Sequence, residues 1–147
     1  MDYIVDILTN KILQTSVLAW FLAQIIKVII GLLTTKQFDF TKLFGSGGMP
    51  SSHAAFTVSL ATAVGLETGF NSQIFAVTAA FAFVVMYDAT GVRRSAGEQA
   101  RILNRIVESM GNGDVSETGK KLKELLGHTP FEVFAGAVLG IVIAVIM

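Results

Sequence analysis

The stretch GHTPFEVFAGAVLGIVIAVIM, residues 127–147, carries its last charge at Glu132 and is apolar from there on. Pro130 suits the first position of a helix and Thr129 its N-cap, so the stretch predicts a helix over 130–147. A membrane span needs roughly 17–25 mostly apolar residues, and reading outward finds three more such runs, at 12–33, 53–69 and 72–87. The last three of the four are short. Of 147 residues 52% are hydrophobic and 15% charged, with a mean hydropathy of +0.64, against about 25% charged in a typical soluble domain. A soluble chain of this size would have too little polar surface to cover four such helices. The composition predicts an all-α integral membrane protein with about four transmembrane helices, in a single domain over residues 1–147. It excludes a disordered tail. Balanced charge, 11 Lys+Arg against 11 Asp+Glu, excludes a basic nucleic-acid binder. With no cysteine there is no disulfide framework, no Cys-ligated metal and no thiol nucleophile.

Asp2 and Asp6 precede the first run without a positively charged leader, which predicts a retained span rather than a cleaved signal. Four spans put both termini on one side and the segments 34–52 and 88–129 on the other. That second side holds nine of the eleven basic residues, Lys36, Lys42, Arg93, Arg94, Arg101, Arg105, Lys120, Lys121 and Lys123. The positive-inside rule makes it cytoplasmic and leaves the termini outside, in a multi-pass protein of the cell membrane. One or two amphipathic helices are expected in the longer connector. Ser95 with Glu98 fits a capping box ahead of the stripe Ile102, Leu103, Ile106, Val107 and Met110. Asp114 with Glu117 fits another, ahead of Leu122, Leu125 and Leu126.

The two histidines and two prolines fall into two clusters, Met49-Pro50-Ser51-Ser52-His53 and His128-Thr129-Pro130. Each lies where a cytoplasmic segment enters a span, so folding brings both imidazoles to one membrane boundary. There they can serve as nucleophile and proton donor. Gly48 closes a glycine run, and Ser51 and Ser52 open a helix whose N-terminus favours an anion; an ordinary glycine loop and serine cap have the same appearance. Glu132 either closes a capping box with Thr129 or orients His128, and the spacing leaves both open. At the end of the third run stand Asp88, Gly91, Arg93 and Arg94. The arginines can grip phosphoryl oxygens or simply anchor a span end, while Asp88 can pair with an arginine or bind Mg²⁺. Lys27, with Gln24, lies inside the first run, where a charge faces a polar interior or snorkels to the surface. Gly136 and Gly140 form a GxxxG suited to close helix packing.

With these residues assembled, the chain resembles the superfamily of type-2 phosphatidic acid phosphatases and vanadium haloperoxidases, and more closely its small divergent membrane branch. Pro50-Ser51-Ser52-His53 is similar to the superfamily's Pro-Ser-Gly-His motif, whose histidine protonates the leaving group, with Ser52 in place of glycine. Residues 127–140 are similar to the motif around the nucleophilic histidine, which makes His128 the implied phosphohistidine former, with Glu132 where the superfamily has Asp. The superfamily's first Lys/Arg-Pro motif is absent, because no arginine precedes Arg93. Its Ser-Arg pair ahead of the nucleophile is replaced by Lys121 and Leu122. The run from Asp88 to Arg94 resembles the divergent branch and offers arginines from a new position.

The resemblance implies a membrane phosphatase acting on a lipid phosphomonoester or pyrophosphate. In it His128 is the nucleophile, His53 the acid and Glu132 the orienter. The implied phosphate-binding set is Ser51, Ser52, Gly48, Arg93, Arg94, Lys27, Lys121 and Asp88. No metal or cofactor is expected, since cationic side chains can supply the electrostatics; the expected partners are the bilayer and a phosphorylated lipid, not nucleic acid. Two alternatives stand beside it. Asp88 with Gly91 and Arg94 faintly matches metal-dependent phosphatidyl transferases, and a chain that has lost its arginine motifs can bind lipid phosphate or act as a scaffold without turnover.

Overall fold

A computed structural model describes residues 2–35, 48–110, 122 and 127–147. Among them are six helices and no strand: α1 (Asp2–Thr9), α2 (Lys11–Thr35), α3 (Ser52–Thr68), α4 (Gln73–Thr90), α5 (Val92–Met110) and α6 (Pro130–Ile146). Polar residues between the apolar runs set the boundaries by capping. Asn10 Oδ1 accepts the Leu13 N–H at 3.0 Å to start α2, and Ser72 Oγ accepts the Phe75 N–H at 3.2 Å to start α4. Gly69, at φ +90°, ends α3. Each cap satisfies a backbone donor that the helix leaves without a partner.

The centre of the bundle is α3, which packs against α2, α4 and α6. Its sequence SHAAFTVSLATAVGLET is rich in small residues, and small side chains let neighbouring backbones approach closely. The hydroxyls crowded there are satisfied within the helix: Thr57 and Thr62 donate to the carbonyls of His53 and Val58 at 2.9 and 2.8 Å, and Ser59 to that of Phe56 at 2.9 Å. The GxxxG of α6 lies directly against this helix. A Cβ at Gly140 would stand 2.6 Å from the Ala55 carbonyl oxygen and 2.9 Å from the Ser59 nitrogen, and one at Gly136 would collide with the Ser51 carbonyl.

The helices alternate in direction. The start of α3 is tied to the start of α6 by the Ser51 N–H donating to the Glu132 carbonyl at 2.9 Å, and the His128 N–H donates to the carbonyl of Ala89, near the end of α4, at 3.1 Å. The starts of α3 and α6 and the end of α4 therefore lie at one end of the bundle, as the four-run reading expects. By length and composition two stretches can cross a membrane, Lys11–Thr34 and Gln73–Ser109. The apolar α6 and the central α3 have 17 residues each, about 25 Å at 1.5 Å per residue.

The connector differs from expectation at its start. Ser95 does not cap a helix, because α5 begins at Val92, directly after the Gly91 break, and the Ser95 N–H already donates to the Gly91 carbonyl at 3.0 Å. The stripe Ile102, Leu103, Ile106 and Val107 is about half exposed. The Asn104 amide clamps the Leu122 backbone at both ends, donating to its carbonyl at 3.0 Å and accepting its N–H at 3.1 Å. The second expected amphipathic helix lies outside the described residues apart from Leu122 and Gly127. The α1 helix was not legible in the sequence.

Candidate functional site

Both histidine clusters sit at the end of the bundle where α3 and α6 begin. Ser51 is fully buried, and its side chain accepts the Ala54 N–H at 3.4 Å, so its oxygen serves as the α3 cap. That leaves Ser52 and His53 in the first turn, with Ser52 buried and His53 exposed. At the head of α6, Thr129 Oγ1 accepts the Glu132 N–H at 3.3 Å and the Thr129 N–H donates to Glu132 Oε2 at 2.8 Å. This is the full capping box the sequence allows, with Pro130 at the first helical position.

The cap does not exclude the orienting role. Glu132 Oε2, the atom that receives the Thr129 N–H, also lies 3.4 Å from His128 Nδ1, a close electrostatic contact rather than a formed hydrogen bond. His128 is 3% exposed, and neither of its ring nitrogens has a hydrogen-bond partner among the described residues. The rings of His53 and His128 stand 6.2 Å apart at 61°. Two imidazoles 75 residues apart thus share one site, one buried and one exposed.

Burial pushes the His128 pKa below its ordinary 6.5; Glu132 opposes this, and the charges of Lys27 and His53 add to it. The imidazole is therefore held neutral at pH 7, the form that can act as a nucleophile.

Lys27 completes the cluster from α2. It is 4% exposed although it lies eight residues inside the end of its helix, and its Nζ donates to the buried Gln24 Oε1 at 2.9 Å. Its stem runs beside Gly48, where a Cβ would stand 3.2 Å from Lys27 Cγ. Gly48 has φ +87°, a conformation that suits glycine, so the glycine admits the lysine stem. The Lys27 charge acts on both His128 and Glu132. Of the two readings of this lysine, the buried and partnered one is the observed one.

The remaining expected residues are placed less closely. Asp88 is half-buried, one residue before the Ala89 carbonyl that holds His128. Arg94 is exposed on the first turn of α5, and for Arg93 only the backbone is described. Lys121 lies outside the described residues, as do Gly45, Ser46 and Gly47. No group of three or more His, Cys, Asp or Glu able to hold a metal ion occurs among the described residues. What the sequence did not signal is the wall beyond His53: Val17, Trp20, Phe56, Thr57, Phe81 and Val85 form with it an open cavity of about 370 Å³. These are ordinary apolar residues from three helices, and no motif marks them.

Comparison with known proteins follows the same lines. A family model described as the divergent PAP2 family matches residues 8–143. An uncharacterised membrane protein of Bacillus subtilis (strain 168), YuiD, is 43% identical over 152 residues, covering 97% of this chain and 96% of that protein. No solved structure matches the chain.

Proposed function

The chain belongs to the divergent PAP2 family, and we propose that it is an integral membrane phosphatase cleaving a lipid phosphomonoester or pyrophosphate through a phosphohistidine on His128. The observation that carries this reading is the pair itself: a buried His128 whose Nδ1 faces Glu132 and whose Nε2 makes no hydrogen bond among the described residues, its ring 6.2 Å from that of an exposed His53 on another helix. A merely structural core histidine would be expected to satisfy its buried nitrogens.

In the first step the lone pair of His128 Nε2 attacks phosphorus. The bond from phosphorus to the lipid oxygen breaks with its electron pair on oxygen, and His53 supplies the proton that makes the leaving alcohol neutral. Glu132 holds Nδ1–H toward its Oε2, which leaves Nε2 as the attacking nitrogen. In the second step water attacks phosphorus while His53 takes its proton. The N–P bond breaks, its pair returns to Nε2, and inorganic phosphate departs. Lys27 neutralises charge on the phosphoryl oxygens, helped by the start of α3 at Ser51 and Ser52, by Gly48, and by Arg93, Arg94 and Lys121 from the connector, with Asp88 positioning an arginine.

Helices α2, α3, α4 and α6 are the four spans in this reading. The histidine end is cytoplasmic by its excess of Lys and Arg, and both termini are outside. The exposed apolar surface of the bundle, with Phe21, Phe83, Val84 and Phe134 outward, supports a hydrocarbon surrounding.

The test is phosphate release by detergent-purified protein from phosphatidic acid, phosphatidylglycerol phosphate and polyprenyl phosphates, with His128→Ala and His53→Ala alongside. Activity that both substitutions abolish and EDTA leaves intact supports the histidine mechanism. Release no greater than that of the variants on every substrate refutes it. A second reading, lipid-phosphate binding without turnover, is favoured by the exposure of Arg94 on the first turn of α5; it expects vesicles of phosphatidic acid to bind wild type and His128→Ala alike.

A further inference from the structure

Gln24 is a second polar side chain held deep in α2, and it has no part in the chemistry set out above. It belongs to the buried stripe Ser16, Ala19, Ala23 and Lys27 and is itself buried. Small residues on this stripe let α2 pack closely against the bundle. An amide at such a depth is costly unless it is bonded. Its bond to Lys27 is specific in polarity and in direction. An ammonium only donates, so the amide turns its oxygen, Oε1, to Nζ, at 2.9 Å. Lys27 lies eight residues from Thr35, the end of α2, and a lysine there can extend its stem toward that end. Gln24 stands one turn to the other side, so the bond keeps Nζ back inside the bundle, where its charge acts on His128 and Glu132.

The bonded partner is also neutral. Among the described residues Lys27 takes part in no ion pair, although a buried ammonium is ordinarily paired with a carboxylate. A carboxylate in place of the Gln24 amide would cancel the charge on the spot, and an arriving phosphate would have to displace it. The amide fixes the ammonium and leaves its charge uncancelled. The geometry points to Gln24 as a positioning residue that holds Lys27 Nζ at the histidine pair with its positive charge kept for a phosphoryl anion. The assignment rests on the phosphatase reading for its ligand, a phosphate monoester, and Gln24 acts through Lys27 rather than on the reacting atoms.

The test uses detergent-purified wild type, Gln24→Glu, Gln24→Met, Lys27→Met and the double variant Gln24→Met/Lys27→Met. Phosphate release from dihexanoyl phosphatidic acid reports turnover. The Kd of hexylphosphonate, whose carbon–phosphorus bond this chemistry does not cleave, reports binding, and the melting temperature reports the fold. Gln24→Glu keeps an acceptor for Nζ, so a merely structural bond survives it. The expected result is instead a loss of about tenfold or more in kcat/KM and in phosphonate affinity, with the melting temperature held. Gln24→Met removes the acceptor and should cost about tenfold in the presence of Lys27, but less than about twofold in Lys27→Met, where no ammonium is left to position. Gln24→Glu that binds and cleaves like wild type, or that loses activity only in step with a lowered melting temperature, overturns the assignment. Equal losses from Gln24→Met in both backgrounds overturn it too. Wild type that binds the phosphonate without cleaving the lipid refutes the phosphatase reading alone, and the same comparisons of Kd then decide on Gln24. Wild type that neither binds nor cleaves overturns both.

Discussion

Glu132 Oε2 stands between two groups at once, 2.8 Å from the Thr129 nitrogen, whose N–H it accepts, and 3.4 Å from His128 Nδ1. One carboxylate oxygen closes the helix cap and faces the imidazole, so the fold of the first turn of α6 and the state of His128 depend on a single side chain. The two roles separate by substitution. Glu132→Gln keeps an oxygen for the cap and loses the charge, so phosphate release is expected to fall with the melting temperature little changed. Glu132→Ala loses both and should in addition destabilise the protein by about 1 kcal/mol, read by thermal unfolding in detergent beside the activity assay.

Acid should weaken the protein through His128. Its folded pKa lies below the ordinary 6.5, chiefly from burial, so on acidification the unfolded chain takes up this proton first. The neutral buried imidazole contributes fully above the unfolded value, and that contribution is lost as pH falls from about 6.5 toward the folded pKa. Unfolding midpoints measured across that window should fall more steeply in wild type than in His128→Gln. Parallel curves would count against a depressed pKa.

Lys27 acts on the same equilibrium from α2. Its positive charge lowers the His128 pKa, so Lys27→Met should move the acid limb of kcat/KM to higher pH while reducing its plateau by about tenfold or more, as loss of a buried charge-assisted contact to phosphate implies. Lys27→Arg should keep the limb near its wild-type position. A plateau loss with no shift of the limb would leave Lys27 a phosphate contact that does not reach the imidazole.

The contact of α6 with α3 permits only hydrogen at Gly136 and Gly140. A methyl at Gly140 meets backbone atoms of Ala55 and Ser59, which cannot yield separately from their helix. Gly140→Ala is therefore expected to cost about 1–3 kcal/mol by overpacking, seen as a lowered melting temperature. Gly136→Ala acts four residues from Glu132, and its loss of phosphate release should exceed its loss of stability.

The clamp of Asn104 on Leu122 offers a test outside the histidine cluster. Asn104→Leu removes an acceptor for the Leu122 N–H and a donor to its carbonyl. Amide exchange at Leu122 should rise, with about 1–3 kcal/mol of local protection lost. Exchange unchanged from wild type would mean that other contacts hold this residue.

Much of this arrangement can be read from the chain. The four apolar runs match α2, α3, α4 and α6 to within a few residues at each end, because Asn10, Ser51, Ser72 and Thr129 are caps and Gly69 and Gly91 are breaks. Caps and glycines act locally, so their effect is written where they stand. The nearness of His53 and His128 is also legible, since alternating helices return both clusters to one end. The capping-box spacing of Ser95 and Glu98 puts the start of α5 four residues late, because the Gly91 break already fixes it at Val92. Asn104 meets Leu122 across 18 positions, and Trp20 and Phe81 line one cavity across 61, without any periodic signal. Such pairs exist only once the helices have been placed.

The composition of α3 also bears on how the protein is made. A helix of 17 residues rich in Ala, Ser, Thr and Gly gains little by facing hydrocarbon alone, and its favourable surroundings are the three helices that enclose it. Its insertion then depends on neighbours synthesised later, above all on α6, whose glycines fit its backbone. As one of the four proposed spans, α3 would wait at the membrane for α6, and translation stalled before residue 130 should leave it open to labelling from the aqueous side.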